Sequence, residues 1–183
     1  MPAQDREHAV NATSGAAPVP VRDHAVIEWL ARSAADRNRA RVEWDGHGMT
    51  VLAMGERLAA VRMSGELVHA ACATDDPEQV AATLAEILDG PVIRDRHTLA
   101  DVTYFALVSP HAGLVRDYPR HAVYLAAGVY LGVPAPHHVA PPGAYWAPPP
   151  RYEGDLCAPQ GVEELVRTGA RRLRESENAG AAQ

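Results

Sequence analysis

Residues 134–150 read PAPHHVAPPGAYWAPPP, which places seven of the chain's fifteen prolines in one short stretch. Proline has no backbone N–H to give and a fixed φ, so this stretch can form neither a helix nor a central strand. It is expected to run as an irregular or edge segment, and the regular structure must be built from the residues on either side. Two aromatics lie within it, Tyr145 and Trp146, which either pack back on a core or present an exposed surface. Eight of the ten aromatic residues fall between Tyr104 and Tyr152, so the large side chains are concentrated in the same half of the chain.

On the N-terminal side the clearest element starts at Asp76. Asp76 caps it, Pro77 takes the first helical position and Gln79 completes a capping box. Val80, Leu84, Ile87 and Leu88 then form one face before Gly90 and Pro91 stop the helix. A first helix is predicted over 23–36, with Asp23 as cap and Val26, Ile27, Leu30 and Ala34 on one stripe. The arginines 37, 39 and 41 are read as its exposed end and the following turn. Segments 42–44, 49–54 and 58–63 have strand character and are separated by short turns, which suggests an antiparallel meander. The stretch ELVHAAC (66–72) fits a short helix or another strand. PVI (91–93) and TYFALVS (103–109) read as strands around a polar loop, RDRHTLAD, and 129–133 as a further strand.

A last helix is predicted from about Pro159 to Arg174, with Val162, Leu165, Val166, Gly169 and Leu173 on its apolar stripe. Glu163 and Glu164 lie early and Arg171, Arg172 and Arg174 late, the order that the helix dipole favours. The expectation is therefore an α+β domain over 21–175, an antiparallel or mixed sheet with about three helices packed on it. A disordered leader over 1–20 and a disordered tail over 176–183 complete the reading.

The 183 residues are enough for one domain that buries about 70% of its unfolded surface without a metal or disulfide staple. Apolar residues make up 47% but aromatics only 5%, so a core of small side chains is expected. All 17 basic residues are arginine. Together with abundant Ala, Gly and Pro this points to GC-rich coding, read here as an actinobacterial source, and it makes genomic bias the simplest account of the arginines. The net charge of −6 repels nucleic acid and anionic membrane, so neither is expected as a partner. No apolar run approaches a membrane span. The distant cysteines, Cys72 and Cys157, and an N-terminus without an apolar signal core suggest a reduced, cytoplasmic protein.

Cofactor and catalytic signatures are missing: there is no phosphate-cradling glycine loop, dinucleotide fingerprint, GxSxG, HExxH or CxxC. The reading is accordingly no cofactor and no catalytic residue. Histidine is the one enriched chemistry, with His111, His121, His137 and His138 near the aromatic half. A metal site built from His137 (or His138), Asp155 and Cys157 is the alternative, but adjacent histidines on extended backbone point to opposite sides and cannot both reach one ion. Surface histidines and a small core cysteine are the simpler account. The carboxylate pairs Asp75–Asp76 and Glu163–Glu164 sit at helix starts, where capping explains them. The segment with Tyr145, Trp146 and the neighbouring Tyr130, His137 and His138 is the candidate binding surface, because a proline-stiffened segment loses little entropy on docking.

The stretches WLARSAAD, MGERLAAVRM, YFALVSP and YLGVPAP followed by PPGAYW, with GPV after the capped helix, resemble small actinobacterial proteins related to bifunctional primase-polymerases. The resemblance covers 25–170 loosely. It implies a strand carrying two metal-holding acids, yet 58–63 reads LAAVRM, with Ala60 and Arg62 where the acids would stand. Two-metal phosphoryl transfer needs such ligands, so the resemblance implies a non-catalytic relative. The expected function is a non-enzymatic binding or regulatory protein contacting a protein partner or small molecule. The alternative is a ligand-binding protein or enzyme with a His/Asp/Cys site between the sheet and 134–157.

Overall fold

Three helices begin by the same device, a side-chain oxygen accepting from an otherwise orphan N–H. In the computed structural model, which describes residues 21–96, 101–112 and 120–181, Asp36 accepts from Asn38 and Arg39 at 2.9 and 3.1 Å and starts α2 (Arg37–His47). Ser64 accepts from Leu67 at 3.3 Å and starts α3 (Gly65–Cys72). Asp76 accepts from Gln79 at 2.9 Å and, with Pro77 at the first position, starts α4 (Pro77–Leu88). Helices α1 (Val21–Ala31) and α5 (Pro159–Ala181) complete the set.

Among the described residues seven strands form two antiparallel sheets. The larger has the order β5 (Ala122–Leu125), β2 (Ala59–Ser64), β4 (Val102–Val108), β3 (Val92–Arg96), β7 (Tyr145–Trp146). The smaller is a ribbon of β1 (Met49–Ala53) and β6 (Tyr130–Pro134), with Val51 opposite Gly132. Alternation along the strands divides the core in two. Ala59, Val61, Met63, Val92, Tyr104, Ala106 and Val108 face α3, α4 and α5, where Leu67, Leu84, Leu88 and Leu165 are fully or almost fully buried. Ala60, Ile93, Leu107 and Trp146 face α1, α2 and the ribbon, packing with Leu30, Trp44, Leu52 and Val133. Three helices therefore cover one face of the sheet, as expected, and two helices with the ribbon cover the other.

Several expectations need correction. Residues 42–44 are not a strand but the middle of α2: Ala40 and Trp44, four apart, are its buried residues, and Arg39 pairs with Glu43 at 2.7 Å. A three-residue apolar–polar–apolar run fits both periodicities, and the Asp36 cap decides between them. Strands β1 and β2 do not form a meander. They lie in different sheets, and the chain passes between layers at Gly55, where φ is +104° and a Cβ would stand 2.2 Å from the Ala127 nitrogen. ELVHAAC is the helix α3. Residues 94–96, expected in a polar loop, are strand, because β3 continues through Arg96; residues 97–100 of the expected loop lie outside the described residues. The last helix does not end near Arg174 but continues to Ala181, so 176–181 are helical, since no proline interrupts them. The predicted leader over 1–20 lies outside the described residues.

A candidate ligand groove beside the proline-rich segment

Strand register places three polar side chains side by side on the helical face of the larger sheet. Arg94 on β3 stands opposite Tyr104 on β4 and opposite Tyr145 on β7, so the row runs Tyr145, Arg94, Tyr104. Val92 and Arg94 are two apart and share a face, which brings a guanidinium into a row otherwise occupied by core residues. Arg94 is 7% exposed and Tyr104 is fully buried. Arg94 Nε donates to the Tyr104 hydroxyl at 3.3 Å, and Nη1 donates to the Tyr145 hydroxyl at 3.1 Å. Its Cζ also lies 5.6 Å from the Tyr145 ring centroid. Among the described residues no carboxylate forms an ion pair with Arg94.

The row continues to α3. Tyr104 Oη lies 3.1 Å from His69 Nε2, and the two rings meet edge to face. Since the Tyr104 hydroxyl accepts from Arg94, its own proton is directed to His69, which then accepts through Nε2 as a neutral imidazole. Burial lowers the His69 pKa from its ordinary value, with Asp75 opposing and Arg94 reinforcing that shift. Burial likewise raises the Tyr104 pKa, against the pull of Arg94. Burial works against the Arg94 charge itself, but the two tyrosine hydroxyls outweigh it and leave the guanidinium pKa raised.

Arg94 and Tyr145 also line a groove of about 730 Å³. One wall is the start of α4, with Pro77, Glu78 and Ala81; the other is the proline-rich segment from Val139 to Pro149, with Arg96 further along β3. The proline segment stays in place because β7 pairs with the edge of β3, and Val92 N–H donates to Pro148 O while Ala147 N–H donates to Val92 O.

The residues singled out in the sequence fall in several places. Tyr145 is 8% exposed, with its hydroxyl on Arg94. Trp146 is 1% exposed on the opposite face of the sheet, donating from Nε1 to the Pro134 and Ala135 carbonyls at 3.1 Å. Of the two possibilities for these rings, packing on the core is the one realised. Tyr130 is 68% exposed on the outer face of the ribbon, in a different layer from Tyr145. His137 is exposed, and His138 donates from Nε2 to Pro142 O at 3.0 Å.

The alternative site of His137, Asp155 and Cys157 is not assembled. Among the described residues no group of three or more His, Cys, Asp or Glu side chains is placed to hold a metal ion. Asp155 is fully buried and bound by Arg151. Cys157 donates its thiol proton to Pro91 O at 3.3 Å, and burial, with Asp155 nearby, pushes the thiol well above its ordinary pKa. Both residues hold the chain after the proline segment against α4, and neither is a free ligand or a nucleophile.

The sequence reading missed Arg94, Tyr104 and His69. The available signal was the alternation in VIRDR, where Val92 and Arg94 share parity, but placing the strand end at 93 assigned Arg94 to a loop. No protein-family model matches the chain, and no curated protein or solved structure shows significant similarity to it.

Proposed function

We propose that this is a non-enzymatic binding or regulatory protein that holds a small molecule in the groove between the proline-rich segment and α4. The observation that carries the reading is Arg94: it is 7% exposed, it is held by two neutral hydroxyls, and it lines the groove. Burying a charge without a counter-charge costs several kcal/mol in order of magnitude, so a site arranged around one is suited to a bound group that completes it. The volume of about 730 Å³ suits a small molecule, whose pockets run from roughly 300 to 1,000 Å³. Proline-stiffened walls lose little freedom when a ligand arrives.

Binding is favoured over catalysis by the lining itself. Its titratable residues are Glu78, Arg94, Arg96 and Tyr145, with no histidine, cysteine or serine among them. General acid–base chemistry near neutral pH is served best by a group that titrates there, and the lining holds no residue that ordinarily does so. The primase-polymerase resemblance enters at the same level, as a non-catalytic relative. At the two positions where that resemblance expects metal-holding acids, Ala60 is fully buried opposite Leu107 and Leu125 and Arg62 is exposed.

The test uses Ala81→Trp, which places a bulky side chain on the α4 wall of the groove and leaves Arg94 itself unchanged. Wild type and variant are equilibrated with a metabolite extract of the native host, and the retained small molecules are identified by mass spectrometry. A compound kept by wild type and lost from Ala81→Trp supports the reading. Identical retained sets, with both proteins folded by circular dichroism, overturn it.

A further inference from the structure

We infer that the groove takes a monocarboxylate with an apolar body, its carboxylate set against Arg94. This rests on the groove being a binding site and adds the class of its ligand. A guanidinium offers five N–H donors, and among the described residues Arg94 uses one on Tyr104 and one on Tyr145. The acceptors are neutral, so the positive charge stays uncompensated, and the planar fork of a guanidinium matches the geometry of a carboxylate.

The charges of the lining select the valence. Arg94 carries one positive charge held only by neutral hydroxyls, which a single monoanion neutralises, whereas a doubly charged phosphate would add a second negative charge beside the Glu78 carboxylate of the same lining. The remainder of the lining, including Ala81, Val139, Ala140, Pro141 and Pro142, provides hydrocarbon for the body of the ligand. Val139 is 52% exposed at this rim, and an occupant would cover apolar surface that now faces water.

The test is isothermal titration of the full chain with three probes: phenylacetate, its uncharged isostere phenylacetamide, and inorganic phosphate. Phenylacetate is expected to bind at least about tenfold more tightly than phenylacetamide, the ratio a charge-assisted hydrogen-bond pair supplies, and more tightly than phosphate. Arg94→Gln should abolish that preference. Tyr145→Phe, which removes one hydroxyl holding the guanidinium but keeps the ring, should weaken phenylacetate more than phenylacetamide and keeps the test decisive if Arg94→Gln does not fold. Equal binding of acid and amide, both lost in Ala81→Trp, overturns the carboxylate assignment while leaving the groove as a binding site. Phosphate binding more tightly than phenylacetate also overturns the assignment. No binding of any probe at 20 mM, roughly the weakest affinity the method reads here, or binding unaffected by Ala81→Trp, overturns both readings.

Discussion

Asp155, fully buried, receives three hydrogen bonds from Arg151: from the backbone N–H at 2.8 Å, Nε at 2.9 Å and Nη2 at 2.8 Å. The same guanidinium reaches the C-terminal end of α4, donating from Nη1 to the Asp89 carboxylate and from Nη2 to the Asp89 carbonyl, both at 2.8 Å. One side chain thus ties the end of the proline segment to the helix that forms the other wall of the groove. The two carboxylates hold the Arg151 pKa well above its ordinary range, Asp155 first and Asp89 second.

Arg151→Ala leaves the Asp155 carboxylate buried without its partner. The expected loss is about 1–3 kcal/mol, at the modest end for a buried charge because Arg151 is itself half exposed and water can take its place. Asp89→Ala, at the exposed end of the network, should change stability by less than about 1 kcal/mol. Urea denaturation of the two variants checks the ranking, and equal losses would show that burial of Asp155 is not what makes the contact matter.

Gly161 is required by how closely α5 approaches α4. A Cβ at this position would stand 2.1 Å from the Ile87 carbonyl oxygen, which is backbone and cannot rotate away. Gly161→Ala gains about 1 kcal/mol of helix propensity, but the clash it introduces costs about 1–3 kcal/mol or more, so a lowered melting temperature is expected. Gly46→Ala in α2 meets nothing within 4 Å and should raise the melting temperature slightly. A rise in both would mean that the two helices separate easily.

His69 should give stability an acid-sensitive component. Its folded pKa lies below the ordinary 6.5, chiefly through burial, while the unfolded chain titrates near 6.5. As pH falls through that value the unfolded state takes up a proton that the folded state does not, so stability drops from about pH 6.5 down to the lowered folded value and is unaffected above it. His69→Gln, which keeps a hydrogen-bonding group beside Tyr104, should lose less melting temperature between pH 7.5 and 5.5 than wild type. Parallel curves would remove His69 as the source.

Local signals were readable where one residue's chemistry decides the backbone. The Asp76 cap with Pro77 located α4, and the proline run excluded regular structure from most of 134–150. The same logic failed at Asp36, the cap of α2, because the first helix was run through to 36 and 42–44 were read as a strand. It failed again at β1 and β2, which look like a hairpin in sequence but pair with β6 in one case and with β4 and β5 in the other. The two aromatic rings of the proline segment are not an exposed surface: Trp146 fills one core layer, and the Tyr145 hydroxyl holds Arg94 over the other.

By itself the sequence determined the α+β class, the capped helix and the irregular proline wall, because caps, periodicity and the missing proline N–H act within a few residues. Only the tertiary structure decided that Arg94 lies between Tyr104 and Tyr145 beside a groove. That placement depends on pairing strands 10 and 51 residues apart in sequence, and the register of such pairs is set by how the whole core packs.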